Sequence, residues 1–216
     1  MSNCQNILIL NYSVTYRLKS KGPACLLKVS PRRTLLERQI YLLNKSFKKP
    51  NIIIVSGFKH KKIKNISENL NVSIIENIDY EKTNCLYNVG LAIQEAQIKK
   101  SLLILPGNIL FSPSFFNNFD NNYSQLWLTN DYQELGCTIN NNKIQNIMWT
   151  LPNYWTNISY FTNNEFEFLE DIILNNPNVD KLFLFEAINS IIDKGGIFKP
   201  TLKNQQIKLI NKATDV

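Results

Sequence analysis

Residues 6–29 read NILILNYSVTYRLKSKGPACLLKV. Ile7, Leu8, Ile9 and Leu10 form an unbroken apolar run, the pattern of a parallel strand buried on both faces. A strand of that kind in an α/β protein commonly delivers a phosphate-binding loop, which needs glycine so that backbone N–H groups can approach the phosphate. The first glycine here is Gly22, and the turn carries Asn11, Tyr12, Ser13, Val14, Thr15 and Tyr16 instead. The strand therefore points to an α/β sheet, and the turn departs from the loop such a sheet usually carries.

The rest of the chain repeats the strand-then-helix rhythm. Residues 33–45 carry apolar side chains at 35, 36, 40, 42 and 43, a helical stripe. A second buried strand runs from Asn51 to Val55 and closes at Gly57, followed by an amphipathic helix over 59–69 and a short strand over 72–75. Residues 84–99 form a helix with Leu91, Ala92 and Ala96 inward, and 102–105 a fourth apolar strand stopped by Pro106-Gly107. This alternation predicts a parallel sheet with right-handed crossovers. Beyond it the pattern changes: a strand over 125–129, then a hairpin pairing 135–140 with 143–150 through Asn140-Asn141-Asn142. Helices are expected near 164–175 and 180–193, and a last strand over 207–210. With 216 residues, no repeats and no linker, one mixed α/β domain over the whole chain is the simplest organisation.

Composition narrows the function classes. A 44% hydrophobic and 19% charged chain belongs with folded globular proteins. No apolar run approaches a membrane span, and the first residues lack a basic segment followed by a long apolar stretch and a small-residue cleavage site, so secretion is not expected. Cys4, Cys25, Cys85 and Cys137 are scattered, which suits a reducing cytoplasm and argues against a zinc site. The net charge is +7, concentrated in Arg32-Arg33, Lys48-Lys49 and residues 59–64. Such runs bind phosphate or acidic partners, or form a solvated helix face. Without interleaved aromatics or a recognised motif, they do not indicate nucleic-acid binding.

Taken in order, several segments resemble the nucleotidyltransferase family with a glycosyltransferase-A-like Rossmann fold, and most of all its sugar-1-phosphate and phosphocholine cytidylyltransferases. Val14-Thr15-Tyr16-Arg17-Leu18 and Gly22-Pro23-Ala24-Cys25-Leu26-Leu27 fall on the family's G-x-G-[ST]-R and P-K-x-L-L frame. Residues 34–39 look like the helix after it, and Val55-Ser56-Gly57-Phe58 like its second-strand V-x-G-Y. Tyr80, Asn84 and Tyr87 match the start of the next helix in phosphocholine-type members, and residues 103–111 a strand ending in G-D-x-x-F. The resemblance implies a single-domain Rossmann-like αβα sandwich with a mostly parallel mixed sheet, as in nucleotide-diphospho-sugar transferases.

The departures fall on the positions that carry the family's chemistry. Ala24 stands where the family lysine neutralises phosphate, and Asn108 where an aspartate holds magnesium. Asn211 occupies the place expected of a second metal aspartate. Neutral amides supply oxygen without the charge on which magnesium binding leans, and the side chains of Tyr12 to Tyr16 are expected to obstruct the phosphate approach. The resemblance with these losses implies a degenerate, catalytically inactive protein with no metal or cofactor, weak or absent nucleotide binding, and a protein partner or self-association. The alternative is a divergent cytidylyltransferase-like enzyme using magnesium, an NTP and a phosphosugar or phosphocholine. In it Arg17 with Lys19, Lys21 or Lys28 would replace the phosphate cations, beside Gly57 and Asn84. A glycosyltransferase is disfavoured because no D-x-D follows the fourth strand.

The individual residues also have plainer readings. Arg17 is a surface arginine after a strand, and Asn84 caps its helix. His60, in a lysine run without an acidic neighbour, is read as a surface residue. Asp79, Glu81, Glu165, Glu167, Glu170 and Asp171 are read as solvated charges. Trp149, Tyr154, Trp155, Tyr160 and Phe161 form an aromatic cluster. The resemblance places the first four at an acceptor pocket able to cage a choline-like cation, and core or interface packing is the other reading.

Overall fold

The computed structural model describes residues 6–14, 16–204 and 206–215. Cys4, Thr15 and the side chain of Tyr16 lie outside the described residues. Along the chain, β1 (Asn6–Asn11) leads through two short 3-10 turns to β2 (Lys28–Ser30), β3 (Arg33–Thr34) and α1 (Leu35–Ser46). Then come β4 (Asn51–Ser56), α2 (His60–Ser67), β5 (Ser73–Glu76), α3 (Cys85–Glu95), β6 (Ser101–Pro106) and β7 (Ile109–Phe111). An antiparallel part follows: β8 (Gln125–Thr129), β9 (Leu135–Asn140), β10 (Lys143–Trp149) and β11 (Tyr154–Thr162). The chain continues through α4 (Asn163–Asn175), α5 (Leu184–Asp193), β12 (Lys199–Leu202) and β13 (Ile207–Leu209).

The main sheet has the order β10-β9-β11-β6-β1-β4-β5, with β8 on β11 and β12 on β8. Strand β1 lies between β4 and β6 and is parallel to both. Its side chains alternate between two fully buried faces: Leu8 packs with Leu86 and Val89 of α3 and Leu169 of α4, while Ile7 and Ile9 pack with Leu36, Ile40 and Leu43 of α1. The result is the expected αβα sandwich with a mixed sheet. Among the described residues, no helix is long and apolar enough to cross a membrane.

Three features depart from the sequence reading. Residues 154–162, read only as part of an aromatic cluster, form a long central strand. Trp155 and Tyr160 pack into the cores on opposite faces of the sheet, where they are 1% and 2% exposed. Trp155 Nε1 donates to the Ile158 carbonyl at 3.1 Å, and the Tyr160 ring lies edge-on to Phe119 at 4.9 Å. Both are therefore core side chains, and neither lines the cavity that holds Trp149. The last strand does not join the main sheet; β13 pairs with β7 in a small two-stranded sheet. Finally, α3 ends at Glu95, before the expected end of its helix at Lys99.

Helix α1 is closed at its start by a reciprocal cap. Thr34 Oγ1 accepts from the Glu37 N–H at 3.3 Å, and Glu37 Oε2 accepts from the Thr34 N–H at 2.6 Å. The Thr34 backbone bond chiefly holds the Glu37 carboxyl below its usual range. A carboxyl depressed in the folded state adds stability above its unfolded pKa and loses it as pH falls through the folded value. Wild type should therefore be more stable than Glu37→Gln near neutrality, and their urea midpoints should converge once pH falls well below about 4. Trp155→Ala should cost about 3–5 kcal/mol in the same experiment. Trp149→Ala, at a side chain 54% exposed, should stay within about 0.5 kcal/mol.

Candidate functional site

The site lies at the carboxyl ends of β1 and β6. The strand order places β4 on one side of β1 and β6 on the other, so successive crossovers diverge between β1 and β6, where open α/β sheets bind ligands. Past Asn11 the chain leaves the sheet, and Tyr12 turns into the core formed with α3 instead of over the loop. Burial pushes the Tyr12 phenol far above its ordinary pKa, with the adjoining Cys85 thiol adding to the rise. The Cys85 thiol is itself pushed up to about 12 by burial. The expected obstruction by Tyr12 is thus absent, because its ring gains more from apolar packing than from solvent. The Tyr12 carbonyl accepts from the Phe58 N–H at 3.1 Å. A Cβ on Gly57 would collide with Tyr80 and that same carbonyl, so close packing accounts for this glycine.

A 3-10 turn over Tyr16–Leu18 buries Leu18 and leaves Arg17 exposed. Arg17 borders a cavity of about 670 Å³ whose walls include Asn108, Asn211, Tyr132, Trp149 and Phe183. Lys19, Lys21 and Lys28 are exposed but do not line it. Ala24 is buried in a small cluster with Leu18, Leu35 and Ile210, so its methyl is packing and does not face the cavity.

The turn Pro106-Gly107-Asn108 and the end of β13 bring Asn108 and Asn211 together: Asn108 Nδ2 donates to Asn211 Oδ1 at 3.1 Å. The Ile210 N–H donates to the Asn108 carbonyl at 2.8 Å, tying the two segments through their backbones as well. The lone carboxylate among the described residues lining the cavity is Glu134. No group of three or more His, Cys, Asp or Glu side chains among the described residues is placed to hold a metal. Magnesium takes octahedral oxygen and relies on carboxylate charge. Two neutral amides, one of whose oxygens already accepts from the other, do not fit that ion.

The aromatic wall is only partly the one expected. Trp149 lines the cavity, edge-on to Phe185 at 6.2 Å, and Phe183 stacks on Phe185 at 5.9 Å. Tyr154 stands behind the wall, packed against Tyr132 at 5.3 Å. Tyr132, which is 75% exposed, and Phe183 were not singled out from the sequence, where neither falls in a motif. Asn84 occupies the N-cap of α3 but does not cap it. Its Nδ2 donates to the Lys181 carbonyl at 2.5 Å and its N–H to the Asp180 carbonyl at 2.7 Å. It thereby holds the loop that delivers Phe183.

Two residues read as surface charges are tied down elsewhere. His60 Nδ1 lies 2.8 Å from Ser56 Oγ and its Nε2 3.5 Å from Glu76 Oε2, with the side chain 12% exposed. Parallel pairing of β4 with β5 brings the acidic partner in from outside the local sequence. Glu165 accepts from Ser124 Oγ at 3.0 Å and the Ile197 N–H at 2.8 Å, joining α4 to the segments before β8 and β12.

No protein-family model matches the sequence, and no curated protein matches it. Many solved structures share its fold. The inositol-1-phosphate CTP transferase of T. maritima superposes with a TM-score of 0.80 at 15% identity, over 100% of this chain and 92% of that one. The CTP:phosphocholine cytidylyltransferase LicC of Streptococcus pneumoniae gives 0.76 at 19% identity, over 98% and 96%. A nucleoside-diphosphate-sugar pyrophosphorylase of Vibrio cholerae RC9 gives 0.76 at 12% identity, over 97% of each. At these identities the likeness is one of fold: the chain has the architecture of the nucleotidyltransferases from end to end.

Proposed function

We propose that this protein is a nucleotidyltransferase-like binding protein that does not carry out metal-dependent nucleotidyl transfer. The observation that carries the reading is the Asn108–Asn211 amide pair, 3.1 Å apart, at the two positions where the resemblance expects metal-binding carboxylates. Preorganised charge of that kind typically contributes several kcal/mol to transition-state stabilisation, and Ala24, packed in the core, adds no cation in its place. Arg17 and the open cavity beside it retain the means to hold a ligand. The exposed Trp149, Tyr132 and Phe183 are side-chain types that also anchor protein contacts, so a partner or self-association belongs to the same reading.

The enzyme reading has one observation in its favour: the cavity beside Arg17 is open, Tyr12 having turned away from it. Turnover decides between the two. Incubation with each of the four NTPs, magnesium or manganese, and a phosphosugar or phosphocholine acceptor should release no pyrophosphate above a heat-killed control. Release above that control establishes the enzyme. Restoring the carboxylates in Asn108→Asp/Asn211→Asp should raise manganese affinity at least about tenfold by calorimetry, since the two side chains already touch. No gain would mean that these positions do not form a metal site.

A further inference from the structure

The charge of the chain is not spread evenly over the fold. Residues 28–72, from β2 to the loop before β5, hold eleven of the 24 Lys and Arg, but of the 17 Asp and Glu only Glu37 and Glu68. That stretch is +9 in a chain of +7, so the remainder is net negative. Its helices α1 and α2 pack on the face of the sheet that buries Ile7 and Ile9. Helices α3, α4 and α5 cover the other face, and residues 85–100 with 163–194 hold eight Asp and Glu against four Lys. The sandwich has one basic helical layer and one acidic one.

The basic layer is not neutralised from within. Lys48, Lys49, Lys59, Lys61, Lys62 and Lys64 are all exposed, and among the described residues none of them forms an ion pair. Glu37 is engaged in the cap of α1, and His60 takes Glu76 as its partner. Glu68 lies beside Lys64 in a surface depression between α2 and the starts of β4 and β5. On the opposite layer, by contrast, Lys194 pairs with Asp171 at 2.9 Å. Crowded like charges repel one another, and an anionic surface relieves that repulsion.

Two features favour a lipid surface over nucleic acid. The six exposed cations above are all Lys, compact charges without the planar fork that reads base edges. Tyr41, the lone exposed large apolar side chain among the described residues of the stretch, has the Arg33 guanidinium 3.8 Å and the Lys45 ammonium 4.7 Å from its ring centroid. Its ring is thus engaged and does not offer a platform for a base or a wedge for acyl chains. Attraction at this face acts through charge, which an array of anionic headgroups matches, while the acidic layer turns away from it.

We propose that the α1–α2 layer docks on an anionic lipid surface through its exposed lysines, reversibly and without insertion. The inference goes beyond the reading of the cavity and does not depend on whether nucleotide is turned over there. The test is sedimentation with vesicles of phosphatidylcholine alone or with about 30% phosphatidylglycerol, at about 50 mM and about 500 mM salt. The protein should bind the anionic vesicles at low salt, leave them at high salt, and ignore phosphatidylcholine. Lys61→Glu/Lys62→Glu/Lys64→Glu should weaken binding at least about tenfold, since each lysine near such a surface contributes about 1 kcal/mol. Lys99→Glu/Lys100→Glu/Lys143→Glu, with the same change in net charge away from this layer, should weaken it about threefold or less. Thermal melts of both variants confirm folding, and Lys61→Gln/Lys62→Gln/Lys64→Gln replaces the first if it does not fold.

The inference is overturned if anionic vesicles bind no better than phosphatidylcholine, if binding survives high salt, or if the two charge-reversal variants lose equally. It is also overturned if duplex DNA at equal phosphate concentration strips the protein from the vesicles, which would make nucleic acid the occupant of this face.

Discussion

Strand β1 has no solvent face. Ile7, Leu8 and Ile9 are fully buried between two helical layers, and the backbone on either side is occupied by parallel pairing to β4 and β6. Every other placement follows from that constraint. A strand flanked on both edges by parallel neighbours needs crossover connections, which supply α1 on one face and α3 on the other. Because the crossovers diverge at β1, the cavity stands beyond the carboxyl ends of β1 and β6.

The cavity is assembled from segments remote in sequence. Arg17 comes from the turn after β1, Asn108 from the turn after β6, Tyr132 from the loop after β8, Phe183 from the loop before α5 and Asn211 from beyond β13. Several contacts outside the cavity hold these loops in place: Asn84 on the Lys181 carbonyl, Ile210 on the Asn108 carbonyl, and Asn11 seated against Gly107. The scaffold that places a ligand is therefore kept by ordinary packing and hydrogen bonding. The chemistry at the two asparagines is a separate matter of side-chain charge. A fold of this kind can lose one without losing the other, because charge at an exposed loop contributes little to the stability of a buried sheet.

Much of the architecture was legible because it rests on short-range patterns. The apolar runs at 7–10, 52–55 and 102–105 mark strands buried on both faces, and each appears in the central sheet. Asn141 and Asn142, the residues that turn the β9–β10 hairpin, both take positive φ, as that turn requires. Strand β11 was not legible. Its polar residues Thr156, Asn157 and Ser159 interrupt the apolar pattern, and a register shift between Trp155 and Ser159 breaks the regular period. Thr156 Oγ1 satisfies itself on the Trp127 carbonyl at 2.8 Å, a partner no local window contains.

The sequence by itself determined the strand–helix alternation of the first half, the β9–β10 hairpin and the buried faces of the central strands, and the resemblance marked Ala24, Asn108 and Asn211 as departures from the family pattern. These are properties of residue type and of spacing within one element. Only the tertiary structure decided that Trp155 and Tyr160 are core, that His60 meets Glu76, that Tyr12 turns away from the cavity, and that Asn11 is buried with its Nδ2 unpartnered among the described residues. Each of these depends on which distant segment faces the side chain. Sheet order and crossover direction set that neighbour, and no pattern within a single element encodes it.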